Sequence, residues 1–284
     1  MSKKKTLFFS PQESSYVEIL TTSTSSTWRP QSSAKTGSLL NWEVSGDASG
    51  SYIGNRPTID LSGNTGTAII KITSADQLSG WFRLYVYNLD VVSSNFQNVT
   101  DMITLYVYQN QNMTDINLVG MDSLEIIFCY QNTSLTSIDF SNCPNIGNIN
   151  LTSSSNISTL ILGESDFSSN FKRIEMNACN VSDIDLQYAT ELERLRANDN
   201  NLNSLDISNN TKLKSQIWYN DNGLSASDTE DIILNLDANG EINGNLDYSG
   251  NDTPNATKTT TNDVLNAYNS LISKGWIITG STPS

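Results

Sequence analysis

Between residues 102 and 221 one short phrase keeps returning, apolar-x-x-apolar-x-apolar-x-x-Asn, and it limits the fold more than any other property of the chain. It reads Met102-Leu105-Val107-Asn110 and again Leu124-Ile127-Cys129-Asn132. Ile146-Ile149-Leu151, Phe171-Ile174-Met176-Cys179 and Leu192-Leu195-Ala197-Asn200 follow, with Leu213-Gln216-Trp218-Asp221 as a degraded last copy. A second set of the same spacing lies between them: Met113-Ile116-Leu118, Leu135-Ile138-Phe140, Ile157-Leu160-Leu162, Val181-Ile184-Leu186 and Leu202-Leu205-Ile207. Starts fall every 11 residues, give or take one, apart from a three-residue insertion around 166–170. An earlier copy begins at Trp81-Leu84-Val86.

Within a phrase, the residues three and five after the start share one face of a short strand, because side chains alternate along a strand. The first apolar residue turns in beside them. Copies stacked about 4.8 Å apart pair each strand with its equivalents above and below. Two strands per coil of about 22 residues give two parallel sheets with a thin apolar filling. No coil buries its face alone, so neighbours supply the stability and both ends need covers. The terminal Asn bonds free backbone groups in the bend, and successive copies form a ladder. Cys143 and Cys179 fall at that ladder position and Cys129 at a core position, so all three read as structural thiols. Three cysteines without CxxC spacing do not make a disulfide scaffold.

Phrases such as Leu135-Thr-Ser-Ile-Asp-Phe-Ser-Asn-Cys143 and Leu202-Asn-Ser-Leu-Asp-Ile-Ser-Asn-Asn210 resemble leucine-rich repeats. They are similar to the short, helix-free repeats of Bacteroidota surface proteins and of the bacteriophages infecting those hosts, over residues 81–224. The chain departs from that pattern where Ile, Val, Met and Phe replace Leu, and at Gln216. The expected fold is mainly β: a leucine-rich-repeat-like, two-sheet parallel β-solenoid with a β N-terminal cap and a small α+β C-terminal cap.

Four segments follow from this. Residues 1–38, rich in Ser and Thr, read as an extended anchoring arm, and 39–80 as a small β cap with strands at 39–44, 58–61 and 67–73. Residues 81–223 form the solenoid and 224–284 the second cap. In that cap, Ser225 is a candidate N-cap for a helix over 225–236. A second helix is expected over 261–273, with Val264, Leu265, Tyr268, Leu271 and Ile272 facing inward, then a strand over 276–279. The Lys274-Gly275-Trp276 ending resembles the ends of phage-encoded repeat proteins.

Positions four and six after each start of the first set point outward. They hold Tyr85 and Tyr87, Tyr106 and Tyr108, then Phe128 and Tyr130, followed by Asn150 and Thr152, Glu175 and Asn177, Arg196 and Asn198, and Ile217 and Tyr219. Six aromatic residues thus align on three adjacent coils, a pattern that marks contact surfaces. The competing readings are cover by the first eighty residues and plain cross-strand stacking. In the second set, Asp115, Asp139, Asp183, Asp185 and Asp206 point outward. Hard cations take such carboxylates, but a solvated edge that discourages sheet stacking needs them equally. The segment from Asp237 fails as a calcium loop, with Ile242 where Gly and Tyr248 where Glu is required.

Histidine is absent, which excludes Ser-His-Asp triads, Cys-His pairs and histidine-ligated zinc. A formal charge of −14 disfavours gripping nucleic acid through its phosphates. Glu175 is the only carboxylate among the outward positions of the first set, and with Arg173 and Arg196 nearby it reads as an ion-pair member rather than a glycosidase acid. No catalytic residue, metal or cofactor is assigned. The apolar stretch at 7–9 falls short of the roughly 7–15 residues of a signal peptide, and no run approaches the roughly 20 that span a bilayer. Together with the resemblance, this points to a non-enzymatic phage virion subunit, a fibre or decoration protein made in the host cytoplasm. Its arm would engage other virion subunits and its repeat face a host-surface glycan or protein, as a homo-oligomer with no nucleic acid and no membrane. The alternatives are a bacterial leucine-rich-repeat adhesin and an intracellular interaction scaffold.

Overall fold

The chain's first strands come from a segment whose composition hides them. The structure, a computed structural model, describes residues 15–34, 39–76, 78–163, 169–255 and 263–284. It opens with β1 (Tyr16–Thr21), β2 (Gln31–Ala34), β3 (Leu40–Gly46), β4 (Gly50–Ile53) and β5 (Ala68–Ser74). Residues 16–21 and 31–34 of the extended arm expected over 1–38 are therefore strands of the fold. Val17, Ile19 and Thr21 alternate with half-exposed Tyr16, Glu18 and Leu20, a period of two that the surrounding Ser and Thr obscure. Residues 1–14 and 35–38 of that arm lie outside the described residues. The strand expected over 58–61 is reduced to a single bridge between Ile59 and Trp28.

The coils follow as β6 (Trp81–Tyr85), β7 (Val91–Gln97), β8 (Thr104–Tyr106), β9 (Asp115–Asn117), β10 (Ile126–Phe128) and β11 (Ser137–Asp139). They continue as β12 (Asn148–Asn150), β13 (Thr159–Ile161), β14 (Arg173–Glu175), β15 (Arg194–Arg196) and β16 (Ile217–Trp218). Then come α1 (Ala226–Asn239), β17 (Asn245–Asp247), α2 (Asp263–Ser273) and β18 (Ile277–Thr279). The result is a mainly β, leucine-rich-repeat-like parallel β-solenoid with two helices among the described residues.

One wall is a ten-stranded sheet in the order β2-β6-β8-β10-β12-β14-β15-β16-β17-β18, parallel throughout except where β2 meets β6. Its central inward residues stand in one register: Leu84, Leu105, Ile127, Ile149, Ile174, Leu195, Ile217, Leu246 and Ile278. All but the last are buried, each against the coil on either side. A fully buried Leu or Ile contributes about 1.5–3 kcal/mol, so this column, with the equally buried inward residues around it, holds the stack together.

The opposite wall is not the continuous second sheet expected. β9 pairs with β7 and so belongs to the six-stranded sheet β4-β3-β5-β1-β7-β9, β11 and β13 form a separate pair, and the coils at 181–186 and 202–207 carry no strand. Their apolar residues are still buried. Backbone bonds between those two coils are sparse, Asn201 N–H to Val181 O at 3.0 Å and Asn203 N–H to Ser182 O at 3.4 Å. Side-chain oxygens instead accept the N–H two residues on, Asn117 from Val119, Asp139 from Ser141, Asp185 from Gln187 and Asp206 from Ser208. Local turns of this kind compete with strand pairing.

The last coils differ from expectation in three ways. The step from Leu213 to the inward Ile217 holds one extra residue, accommodated by a left-handed backbone at Gln216 (φ 55°). Its slip by one exchanges the two faces: Ile217 and Tyr219, expected outward, are buried, and Trp218 points out. The C-terminal segment is also more than a cap, since β17 and β18 extend the ten-stranded sheet while α1 and α2 replace the strands of the opposite wall. Ser225 and Asp228 form a reciprocal capping box on α1, and Gly240 closes it at φ 75°. Along α2, Val264, Ala267 and Leu271 are buried, while Ile272, expected inward, is exposed. Trp276 packs so closely on Gly244 that a Cβ there would lie 2.4 Å from its ring.

Candidate binding face

The outward positions of the ten-stranded sheet bring all six predicted aromatic residues together in two columns. Tyr85, Tyr106 and Phe128 form one, with ring centroids 4.3 and 5.0 Å apart. Tyr87, Tyr108 and Tyr130 form the other, at 4.5 and 4.3 Å. Interplanar angles are 8°, 12°, 9° and 9°. These separations match the spacing of about 4.8 Å between strands, so the rings stand on edge and face one another along the stack. Each ring is half-buried; Tyr106 and Tyr108 are stacked on both faces, and the rings at the column ends on one. Offset stacking of this kind contributes about 0.5–1.5 kcal/mol per pair.

Packing also raises the pKa of the two central phenols. Burial first, and then the neighbouring Tyr130 phenol, push the Tyr108 hydroxyl up to about 12. The Tyr106 hydroxyl is raised as well, chiefly by burial. Beside the rings, Gln109 Nε2 donates to Gln131 Oε1 at 3.0 Å, so the amides of adjacent coils extend the same columnar order.

Behind the face lies the predicted polar ladder. Asn110 Nδ2 donates to Val86 O and Val107 O, Asn132 to Val107 O and Cys129 O, and Asn200 to Met176 O and Ala197 O, all between 2.7 and 3.1 Å. Asn222 and Asn251 continue it to Tyr219 O and Tyr248 O. The residue before each rung, from Gln109 and Gln131 to Ala178 and Asp221, has a positive φ. That conformation is unfavourable for non-glycine residues, and the amide bonds hold it. Ser154 and Cys179 fill the two gaps, Cys179 Sγ lying 3.3 Å from Leu151 O. Burial pushes the Cys129 and Cys143 thiols up to about 12 and Cys179 to about 11, which suits filler rather than nucleophile.

Beyond Phe128 and Tyr130 the columns change chemistry. Asn150 follows, its Nδ2 donating to Glu175 Oε2 at 3.3 Å. Glu175 binds Arg194 at 3.1 Å and Arg196 at 3.7 Å, so its ion-pair partners are Arg194 and Arg196 and not the expected Arg173. Arg196 lies over the ring of Trp218 at 4.6 Å. The loss of ring height at Asn150 leaves a cavity of about 400 Å³ between Phe128 on one side and Arg173 and Glu175 on the other, floored by Asn148 and Asn150.

Sequence reasoning placed Arg173 on this face only as a neighbour of Glu175, and missed Asn148 and Trp218. Trp218 was hidden by the slip at Gln216. Asn148 and Arg173 lie two residues after each start plus the strand's first position, a third outward column beside the two tabulated. The outward aspartates of the opposite wall fall on no such surface, and Asp139, Asp185 and Asp206 are engaged by backbone N–H groups.

No family model matches the chain, and no curated protein matches it. Among solved structures, the chain is similar to the functional domain of InlJ from Listeria monocytogenes, which includes a cysteine ladder, at 14% identity and a TM-score of 0.40 over 77% of this chain. It is also similar to the internalin inlF from Listeria monocytogenes strain 4b F2365, at 18% identity and a TM-score of 0.32 over 66% of this chain. The matches cover 56% and 63% of those two structures, less than two thirds of either.

Proposed function

We propose that the protein is a non-enzymatic binding protein that meets its partner through the outer face of the ten-stranded sheet. The observation that carries this reading is the double column of stacked rings on β6, β8 and β10. Rings locked by their neighbours give apolar area at little entropic cost on binding, and their edges and hydroxyls add hydrogen-bonding groups. Glu175, held by two guanidinium groups, has the setting of a structural anion and not of a general acid. The test is the paired variant Tyr106→Ser with Tyr130→Ser in the full chain. Circular dichroism should be unchanged while attachment to a host-envelope fraction is lost; unchanged attachment would remove the face from the reading.

Within it, we assign the protein to a phage virion as a fibre or decoration subunit, engaging fellow subunits through its amino-terminal segment and acting as a homo-oligomer. What supports this is the resemblance of the repeat phrases and of the Lys274-Gly275-Trp276 ending to phage-encoded proteins. Mass spectrometry of purified particles decides it. Absence from particles would leave the adhesin or scaffold form of the same binding reading.

A further inference from the structure

We propose that the cavity beyond Phe128 binds a carboxylate-bearing sugar ring, a uronic-acid-type pyranose, which takes the place of the missing fourth ring in the column. The inference deepens the binding reading and rests on it. Three observations carry it.

The first is geometric. Tyr85, Tyr106 and Phe128 stack at 4.3 and 5.0 Å, and the column then stops. Phe128 is stacked on one side by Tyr106, and on its other side the next strand offers Asn150, in register with it. A ring laid on that free face continues a spacing that the protein has already set. The cavity, about 400 Å³, lies within the roughly 300–1,000 Å³ of small-ligand sites.

The second is the polarity of the floor. The Asn148 side chain is half-buried and makes no hydrogen bond among the described residues, and it sits beside the Asn150 amide. Asn150 already donates to Glu175 and accepts from the Thr152 N–H, so an aromatic guest would strand the Asn148 amide alone, and an unmet buried amide is costly. A pyranose satisfies both surfaces at once. Its C–H face meets the negative face of Phe128, and its hydroxyls meet the Asn148 amide.

The third is charge. Lys172 pairs with Glu191 and Glu193 at 3.1 and 3.3 Å, and Arg194 and Arg196 hold Glu175. Arg173, on the cavity wall and exposed, has no ion-pair partner among the described residues. The cavity's own lining balances Lys172 and Arg173 against Glu175 and Glu193, but both carboxylates are engaged by other cations, Glu193 by Lys172 and Glu175 by Arg194 and Arg196, which leaves the Arg173 guanidinium as the charged group open to a guest. A guanidinium with a free fork recognises a carboxylate in two parallel hydrogen bonds.

The experiment is an NMR titration of the full chain, labelled at phenylalanine, with galacturonic acid, its methyl ester and benzoate. Galacturonate should shift the Phe128 resonances saturably, and the ester, with the same ring and no charge, should bind at least about tenfold more weakly, as expected for a lost charged hydrogen bond. Arg173→Gln should weaken galacturonate by the same factor and leave the ester unchanged. Asn150→Phe, which adds the fourth ring and keeps the register, should stay folded and abolish binding. Equal binding of acid and ester, or benzoate binding more tightly than galacturonate, would overturn the proposal, as would a folded wild type that binds no sugar. If Tyr106→Ser with Tyr130→Ser still loses host attachment in that last case, the binding face stands and only the cavity's ligand is refuted.

Discussion

Asn132 Oδ1 accepts the backbone N–H of Asn110 at 2.8 Å, joining two bends that are a whole coil apart. The same side chain donates to Val107 O and Cys129 O, so one amide closes its own bend and fastens it to the coil before. All of these groups are buried, and water cannot replace the lost partner.

Replacing Asn132 by Ala should therefore cost about 3 kcal/mol, the scale of leaving several buried polar groups unmet. Asn142→Ala, at an exposed position on the opposite wall, should change stability by less than about 0.5 kcal/mol. Urea denaturation monitored by fluorescence measures both. Equal effects would mean that the ladder is incidental.

The three thiols should be silent towards a disulfide reagent in the native protein at pH 8 and react fully in denaturant. All are buried, and burial raises each above its usual range. Cys179, at about 11 and the least covered of the three thiols, should be the first to react as pH is raised. A fast native reaction of Cys129 would contradict its place in the core.

Alkaline pH should weaken the fold over a defined window. Tyr108 titrates near 12 when folded and near 10 when unfolded. Its folded value is the higher, so the stability it contributes is complete below about pH 10 and is lost as pH rises towards 12. Burial raises Tyr106 and Tyr219 in the same direction. Denaturation curves between pH 9 and 12 should fall more gently for Tyr108→Phe than for the natural chain.

Glu175→Gln should destabilise by about 1 kcal/mol, since it leaves Arg194 and Arg196 facing each other without the shared anion. The deficit should shrink in 1 M salt, where screening acts within about 3 Å. A deficit independent of salt would point to lost packing instead.

Most of the solenoid was legible in the sequence because its signal is periodic. From Leu84 to Leu195, the residues spaced to face inward are the ones that are buried. The six rings also stand where the spacing put them, though only coordinates reveal that they stack on one another. What escaped was local or aperiodic. β1 hides in Ser/Thr-rich sequence because a six-residue alternation is brief. Gln216 looks like a poor core residue, when it is an inserted one that reverses Ile217 and Trp218. The opposite wall has the same apolar spacing as the first, and that spacing buries side chains without requiring paired backbones.

The inward register from Leu84 to Ile278 advances one strand at a time even though successive coils differ in length, from 21 residues between Leu84 and Leu105 to 32 between Leu246 and Ile278. Between Ile217 and Leu246 the surplus is taken up by α1, at the back. The front behaves as a ruler with fixed graduations, while the rear is a margin open to grafts. A lineage, or a protein engineer, can lengthen that margin around α1 and α2 and leave the measuring edge unmoved.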